Sequence, residues 1–136
     1  AVDASAAMLQ AAQARVGSGS NVELRHGDLE HLPIDDASLE AAFLVLVLPY
    51  VAEPGRVIRE AARALRAGGR LLVTDLMPHE HDEYRQTMGH QWQGFEAGRI
   101  MSWLSEAGLT EVRCGPVPLE PGAKGPMLFT AVGVKR

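Results

Sequence analysis

With 136 residues, 46% of them hydrophobic and 22% charged, the chain has the length and composition of one globular domain and is too short for two of ordinary size. A formal net charge of −4, with 13 Lys and Arg spread along the sequence, excludes a surface built to neutralise phosphates, so no nucleic-acid contact is expected from this segment. The one cysteine, Cys114, excludes an internal disulfide and a Cys-rich zinc site, and no apolar run approaches bilayer length; a soluble, cytoplasmic chain without membrane contact is expected.

Ala1-Val2-Asp3 reads as the end of a strand, and Ser5 as the cap of a helix that carries Met8, Leu9, Ala12 and Val16 on one side and stops at Gly17. After the turn Ser18 to Asn21, Val22, Leu24 and His26 alternate with Glu23 and Arg25 as in a strand, closed by Gly27-Asp28. A loop from Leu32-Pro33 through Ser38 leads into Leu39 to Leu48, an almost unbroken apolar run that predicts a parallel strand covered by helices on both faces, stopped by Pro49. Pro54 suits a first helical turn; Val57, Ile58, Ala61 and Leu65 form the apolar stripe of the helix, and Gly68-Gly69 ends it. Arg56, Arg59, Arg63 and Arg66 with Glu60 read as its solvated face.

Arg70 to Asp75 supplies the next strand. Pro78 to Phe95 is predicted helical, with Tyr84, Met88 and Trp92 four apart as a core stripe. Ile100, Trp103, Leu104 and Ala107 make an amphipathic helix stopped by Gly108, and Thr110 to Cys114 alternates as a strand. The loop Gly115 to Pro126 is too short for a crossover helix, so Met127 to Val134 should pair antiparallel with the strand before it.

Strands separated by helices and ending in an antiparallel pair predict an α/β three-layer sandwich. In such folds ligands sit at the carboxyl ends of strands, and an acidic residue there accepts from the hydroxyls of a ribose. Asp3 occupies such a place, and its two carboxylate oxygens suit a vicinal pair of hydroxyls. The competing roles are a helix cap or a plain surface carboxylate for Asp3, and a turn residue or a helix cap for Asp28.

Four stretches together resemble a known family. They are Val2-Asp3-Ala4-Ser5 with Met8-Leu9, Gly27-Asp28-Leu29 with Leu32-Pro33, the strand through Leu44-Val45-Leu46, and Arg59-Glu60-Ala61-Ala62-Arg63-Ala64-Leu65-Arg66-Ala67-Gly68-Gly69-Arg70-Leu71. The sequence is similar to the second half of a class I S-adenosylmethionine-dependent methyltransferase. The resemblance implies a Rossmann-like sheet, mostly parallel with an antiparallel final strand. It implies S-adenosylmethionine as cofactor and a small-molecule methyl acceptor as partner. Carried over, Asp3 binds the cofactor ribose and Ala4 flanks the adenine; Asp28 accepts from the adenine amino group while the Leu29 backbone meets a ring nitrogen. Leu44, Val45 and Leu46 touch the methionine portion. The departures are Glu40 in place of an Asp at the start of that strand and Pro49-Tyr50 at its end. The family's first strand and glycine-rich turn have no counterpart within residues 1–136. The expectation is therefore a single, incomplete domain, with a central strand between those of Asp3 and Leu46 supplied by other polypeptide or by a swapped partner.

Asp75-Leu76-Met77-Pro78-His79 and the later Gly89 to Phe95 further resemble a bacterial subgroup whose methyltransferase-like domain follows an arsenic-repressor-type winged helix. That likeness implies an alternative function, a sensor or dimerisation domain of a transcriptional regulator, and admits a homodimer. A nicotinamide-binding fold is disfavoured by the terminal antiparallel pair and the Gly-Asp-Leu turn. His79, Glu80, His81, Asp82 and His90 invite a metal reading, but His79 and His81 would point about 200° apart on a helix, and no metal is expected. Methyl transfer depends mainly on positioning, so no catalytic residue is assigned; if the acceptor must lose a proton, His79, His81, Tyr84 and His90 are the candidates.

Overall fold

The computed structural model describes residues 1–136. Six strands and four helices follow in the order β1 (Val2–Asp3), α1 (Ala6–Val16), β2 (Arg25–His26), β3 (Leu39–Val45), α2 (Pro54–Ala64), β4 (Leu65–Leu76), α3 (Glu83–Met88), α4 (Ala97–Glu106), β5 (Leu109–Pro116) and β6 (Leu128–Lys135), with a single 3₁₀ turn over Leu48–Tyr50 between β3 and α2. The architecture is α/β, as the alternation of elements predicts.

The strands lie in two groups. β1 and β2 pair in parallel, with Asp3 opposite His26; the other four form a sheet in the order β3-β4-β6-β5. β3 and β4 are parallel, and β6 runs antiparallel to both β4 and β5. The reversal of the last strand follows from its short connection. β1 and β3 do not pair, and each presents an open edge toward solvent.

The core lies between the four-stranded sheet and two helices packed side by side on one face. From α2 come Val57, Ile58, Ala61 and Ala62, and from α4 come Ile100 and Leu104; these meet Leu44, Leu71, Val73, Phe129 and Ala131 of the sheet. Every second sheet residue faces the other way. Phe43 and Val45 are 65% and 55% exposed, so the apolar run of β3 is covered on one face only within these residues. A continuous apolar run predicts a strand covered on both faces, whereas β3 here is the edge strand of its sheet and is covered on one.

α1 begins as predicted, with the Ser5 hydroxyl accepting the Met8 N–H at 3.3 Å and Gly17 ending it at φ 69°. It buries no residue fully and leaves Met8 exposed, because it rests only on the two short strands β1 and β2. Gly68-Gly69 do not end the helix as expected: α2 stops at Ala64, and the glycines lie inside β4, in the irregular stretch where its pairing with β3 jumps from Leu65 to Arg70. Gly68 has φ 81°, and a Cβ on Gly69 would lie 2.8 Å from the Arg66 carbonyl oxygen.

The face of α2 read as solvated is in part a clamp. The Glu60 carboxylate accepts the Leu32 N–H at 2.9 Å, and Arg63 donates to the carbonyls of Ile34 at 2.9 Å and Leu32 at 3.2 Å while pairing with Asp36. Arg63 holds Glu60 below the usual carboxylate range, and the two fasten the loop that follows Asp28 onto the helix. Residues 78–95 are also not one helix: only α3 is helical, ended by Gly89 in the left-handed conformation at φ 72°. The rest is extended chain stitched to the turn after β3. Gln91 donates its backbone N–H to Pro49 and its side-chain amide to Tyr50, while the Trp92 indole donates to Val51.

Candidate active site

The parallel pairing of β1 and β2 brings two carboxylates to neighbouring strand tips. The Gly27 N–H donates to the Asp3 carbonyl at 3.1 Å, so Asp28 emerges one residue beyond the last bond of the ladder, beside the residue that ends β1. In each carboxylate one oxygen turns the chain: Asp3 Oδ1 accepts the Ser5 N–H at 2.8 Å, and Asp28 Oδ1 accepts the Glu30 N–H at 2.8 Å. The second oxygens take no backbone donor; Asp28 Oδ2 lies 3.5 Å from His31 Nδ1. The Glu30 N–H, with His31 behind it, holds Asp28 below the usual carboxylate range, so it is ionised at neutral pH. Ala4 is exposed and its carbonyl is tied to His26 Nε2 at 2.9 Å, while the Leu29 side chain packs toward the core. Both carboxylates thus turn the chain, Ser5 rather than Asp3 caps α1, and each carboxylate keeps a second oxygen free of backbone donors.

Leu44, Val45 and Leu46 do not share a face, because successive strand side chains alternate. Leu44 is committed to the core, Val45 points to the opposite side, and Leu46 ends β3 in the left-handed region at φ 54°. A non-glycine residue there costs roughly 1 kcal/mol and persists only when its surroundings fix it. Two contacts do so. The Leu46 N–H donates to the Thr74 carbonyl at 2.9 Å, and Asp75 at the end of β4 accepts the Leu48 N–H at 3.2 Å and its neighbour's Leu76 N–H at 2.8 Å. Asp75 is fully buried, and burial pushes its carboxyl up to about 6. Nothing in its sequence position signalled that role beyond its place at a strand end.

Beyond Leu46 a cavity of about 370 Å³ opens at the carboxyl ends of β3 and β4. Leu46, Leu76 and Leu128 form its floor, Tyr50, Tyr84, Met88 and His90 one side, and the β5–β6 loop from Leu119 to Pro126 the other. Tyr84 and Met88, read as core from their helical spacing, line this cavity; only Trp92 of that stripe joins the aromatic cluster with Phe95 and Trp103. His90 is 7% exposed and edge-on to Tyr50 at 4.8 Å, and burial lowers its pKa. Sequence reasoning passed over Lys124 and Leu119, which the loop brings to the mouth from more than forty residues beyond β4.

The profile of a family described as a methyltransferase domain matches residues 1–73, more than half of the chain and both carboxylate tips. The chain belongs to the methyltransferase-domain family. It is 39% identical over 72 residues to an uncharacterized 37.1 kDa protein in a transposon of Streptomyces fradiae, covering 53% of this chain and 21% of that one. It is 35% identical over 75 residues to a demethylmenaquinone methyltransferase of Clavibacter sepedonicus, covering 55% of this chain and 31% of the relative. These matches span about a fifth to a third of the relatives' own length. A solved S-adenosylmethionine-dependent methyltransferase of Thermotoga maritima superposes with a TM-score of 0.76 at 23% identity, over 99% of this methyltransferase-domain chain and 72% of its own, a likeness of fold.

S-adenosylmethionine is the cofactor that family and structural neighbours imply. The donor set suits it: acceptor oxygens at adjacent tips match the hydroxyls and amino group of a nucleoside. No helix is long and apolar enough to cross a membrane.

Proposed function

We propose that this methyltransferase domain binds S-adenosylmethionine across the tips of β1 and β2 and serves methyl transfer to a small-molecule acceptor held in the neighbouring cavity. The observation that carries the reading is the juxtaposition of Asp3 and Asp28, each with an oxygen left open by the turn it makes.

In this reading Asp3 accepts from the ribose hydroxyls and Ala4 lies against the purine. Asp28 accepts from the adenine amino group, and the Leu29 backbone N–H serves a ring nitrogen. Ionised Asp28 is acceptor-only, which suits an amino group. Leu46 lines the cavity, while Leu44, committed to the core, and Val45, turned to the opposite side, contribute through their backbones. The cofactor, when bound, supplies an electrophilic methyl group. The chain's own residues contribute positioning and exclusion of water: the segment around Tyr84 and His90 is pinned over the mouth by its bonds to Pro49, Tyr50 and Val51. The relative named for demethylmenaquinone supports an acceptor of small-molecule size.

The test is a thermal-shift titration of the full chain with S-adenosylhomocysteine. The reading expects the melting temperature to rise with ligand concentration; no shift, together with no heat of binding, overturns it.

A further inference from the structure

The second oxygen of Asp28 has a side chain set against it. His31 folds back on the same strand tip: its N–H donates to the Asp28 carbonyl at 3.1 Å, and its ring turns Nδ1 toward Asp28 Oδ2 at 3.5 Å. On the far side of the ring, Nε2 lies 2.9 Å from a terminal nitrogen of Arg56, in the first turn of α2. Arg56, His31 and Asp28 thus stand in line, from the helix to the tip beyond β2.

The inventory of donors and acceptors fixes the direction of that line. A guanidinium has donors only, so across 2.9 Å the His31 Nε2 is the acceptor. A ring that accepts at Nε2 carries its one proton on Nδ1, the nitrogen that faces Asp28. Asp28 in turn is acceptor-only, because the Glu30 N–H first, and then His31 and Arg56, hold it below the usual carboxylate range. Each group therefore has one role: Arg56 donates to His31, and His31 donates to Asp28. Without Arg56 the proton is free to sit on Nε2, and a lone pair then faces the carboxylate and repels it.

α2 fastens the loop on both sides of His31. Glu30 accepts the Glu53 N–H at 3.2 Å, and Glu60 accepts the Leu32 N–H at 2.9 Å. The backbone thus sets the place of the ring, and Arg56 selects its tautomer. The His31 and Asp28 side chains are 65% and 62% exposed, so their pairing contributes little to stability, as exposed charge pairs do. What it supplies is direction. Of the two carboxylate oxygens, Oδ1 is taken by the Glu30 N–H, while Oδ2 gives one lone pair to His31 and keeps the other free.

We infer that Arg56 and His31 are positioning residues for the amino group of a bound purine: Arg56 fixes the Nδ1–H tautomer of His31, and His31 aims the free lone pair of Asp28 Oδ2 at the ligand. The inference rests on reading Asp28 as the acceptor for that amino group. It makes the line a device of selectivity rather than of folding. A purine that lacks the amino group leaves the aimed lone pair without a donor, and a site built to bond a group discriminates against the analogue without it.

Nitrogen NMR of the His31 ring in the full chain reads the tautomer without any ligand. Wild type is expected to carry the proton on Nδ1. Arg56→Met should release it toward Nε2, and Arg56→Lys, which keeps a donor, should hold it on Nδ1. Calorimetry with adenosine and with purine riboside, which lacks only the amino group, reads the consequence. Arg56→Met should weaken adenosine about threefold to tenfold and leave purine riboside unchanged, with Arg56→Lys close to wild type. A general loosening of the loop would weaken both ligands alike. A His31 proton on Nε2 in wild type, equal losses for the two ligands, or an unchanged adenosine affinity in Arg56→Met each overturn the inference. S-adenosylhomocysteine titrated into wild type separates it from the cofactor reading. Binding of neither S-adenosylhomocysteine nor adenosine defeats both, whereas binding of both with any of those three results defeats the inference alone.

Discussion

The Asp75 carboxylate accepts the backbone N–H of Leu48 at 3.2 Å, so the last turn of β4 holds the bend by which β3 leaves the sheet. That one bond ties the floor of the cavity to the left-handed Leu46, and it comes from a carboxylate with no exposure to solvent.

Its pH dependence has a definite sign. Burial raises the folded pKa to about 6, above the ordinary value of about 3.9, so folding favours the protonated form. The stabilisation is complete below about pH 4 and is lost as the pH rises through 6. Measured by urea denaturation, wild type should lose about 3 kcal/mol between pH 4 and 7.5 relative to Asp75→Asn. Parallel profiles for the two proteins would contradict the assignment.

Gly94 tests the anchoring of the segment over the cavity. It has φ 78°, and a Cβ there would run into the backbone of Met77 and Pro78. Gly94→Ala should destabilise by at least about 2 kcal/mol. Gly98, near the start of α4, has nothing within 4 Å of its Cβ position, and Gly98→Ala should stabilise by about 0.5–1 kcal/mol. Equal midpoints for the two variants would show that residues 77–94 are not packed as described.

Arg63 and Arg59 sit on the same helix and differ in what they touch. Arg63→Ala leaves the Leu32 and Ile34 carbonyls and the Glu60 carboxylate short of a partner and should cost about 1–3 kcal/mol. Arg59→Ala, at an exposed position, should change stability by less than about 0.5 kcal/mol. Chemical denaturation distinguishes them, and equal effects would return Arg63 to the solvated face.

What the sequence disclosed and concealed follows from the range of each interaction. Asp3, Ser5, Gly27 and Asp28 could be read in place, because their geometry is set by neighbours within three residues and by one parallel pairing. The Glu60–Arg63 clamp could not, since its partners lie 27 to 31 residues away in a loop with no periodicity. The Tyr84, Met88, Trp92 spacing correctly marked apolar residues along one stretch of chain. It could not distinguish a face that meets protein from one that meets a cavity, and the glycines at 89 and 94 broke the single helix it suggested. The apolar run of β3 carried its parallel pairing with β4 but not its place at the edge of the described sheet or the exposure of Phe43 and Val45.

The central claim is that Asp3 and Asp28 hold one nucleoside between them. Calorimetry of wild type and Asp28→Ala with S-adenosylhomocysteine and with adenosine tests it most directly. The account predicts that both ligands bind wild type and that the substitution weakens both by the same amount, about 1–3 kcal/mol, because the lost acceptor faces the part they share. Unchanged affinity for either ligand, or a wild-type protein that binds neither, contradicts it.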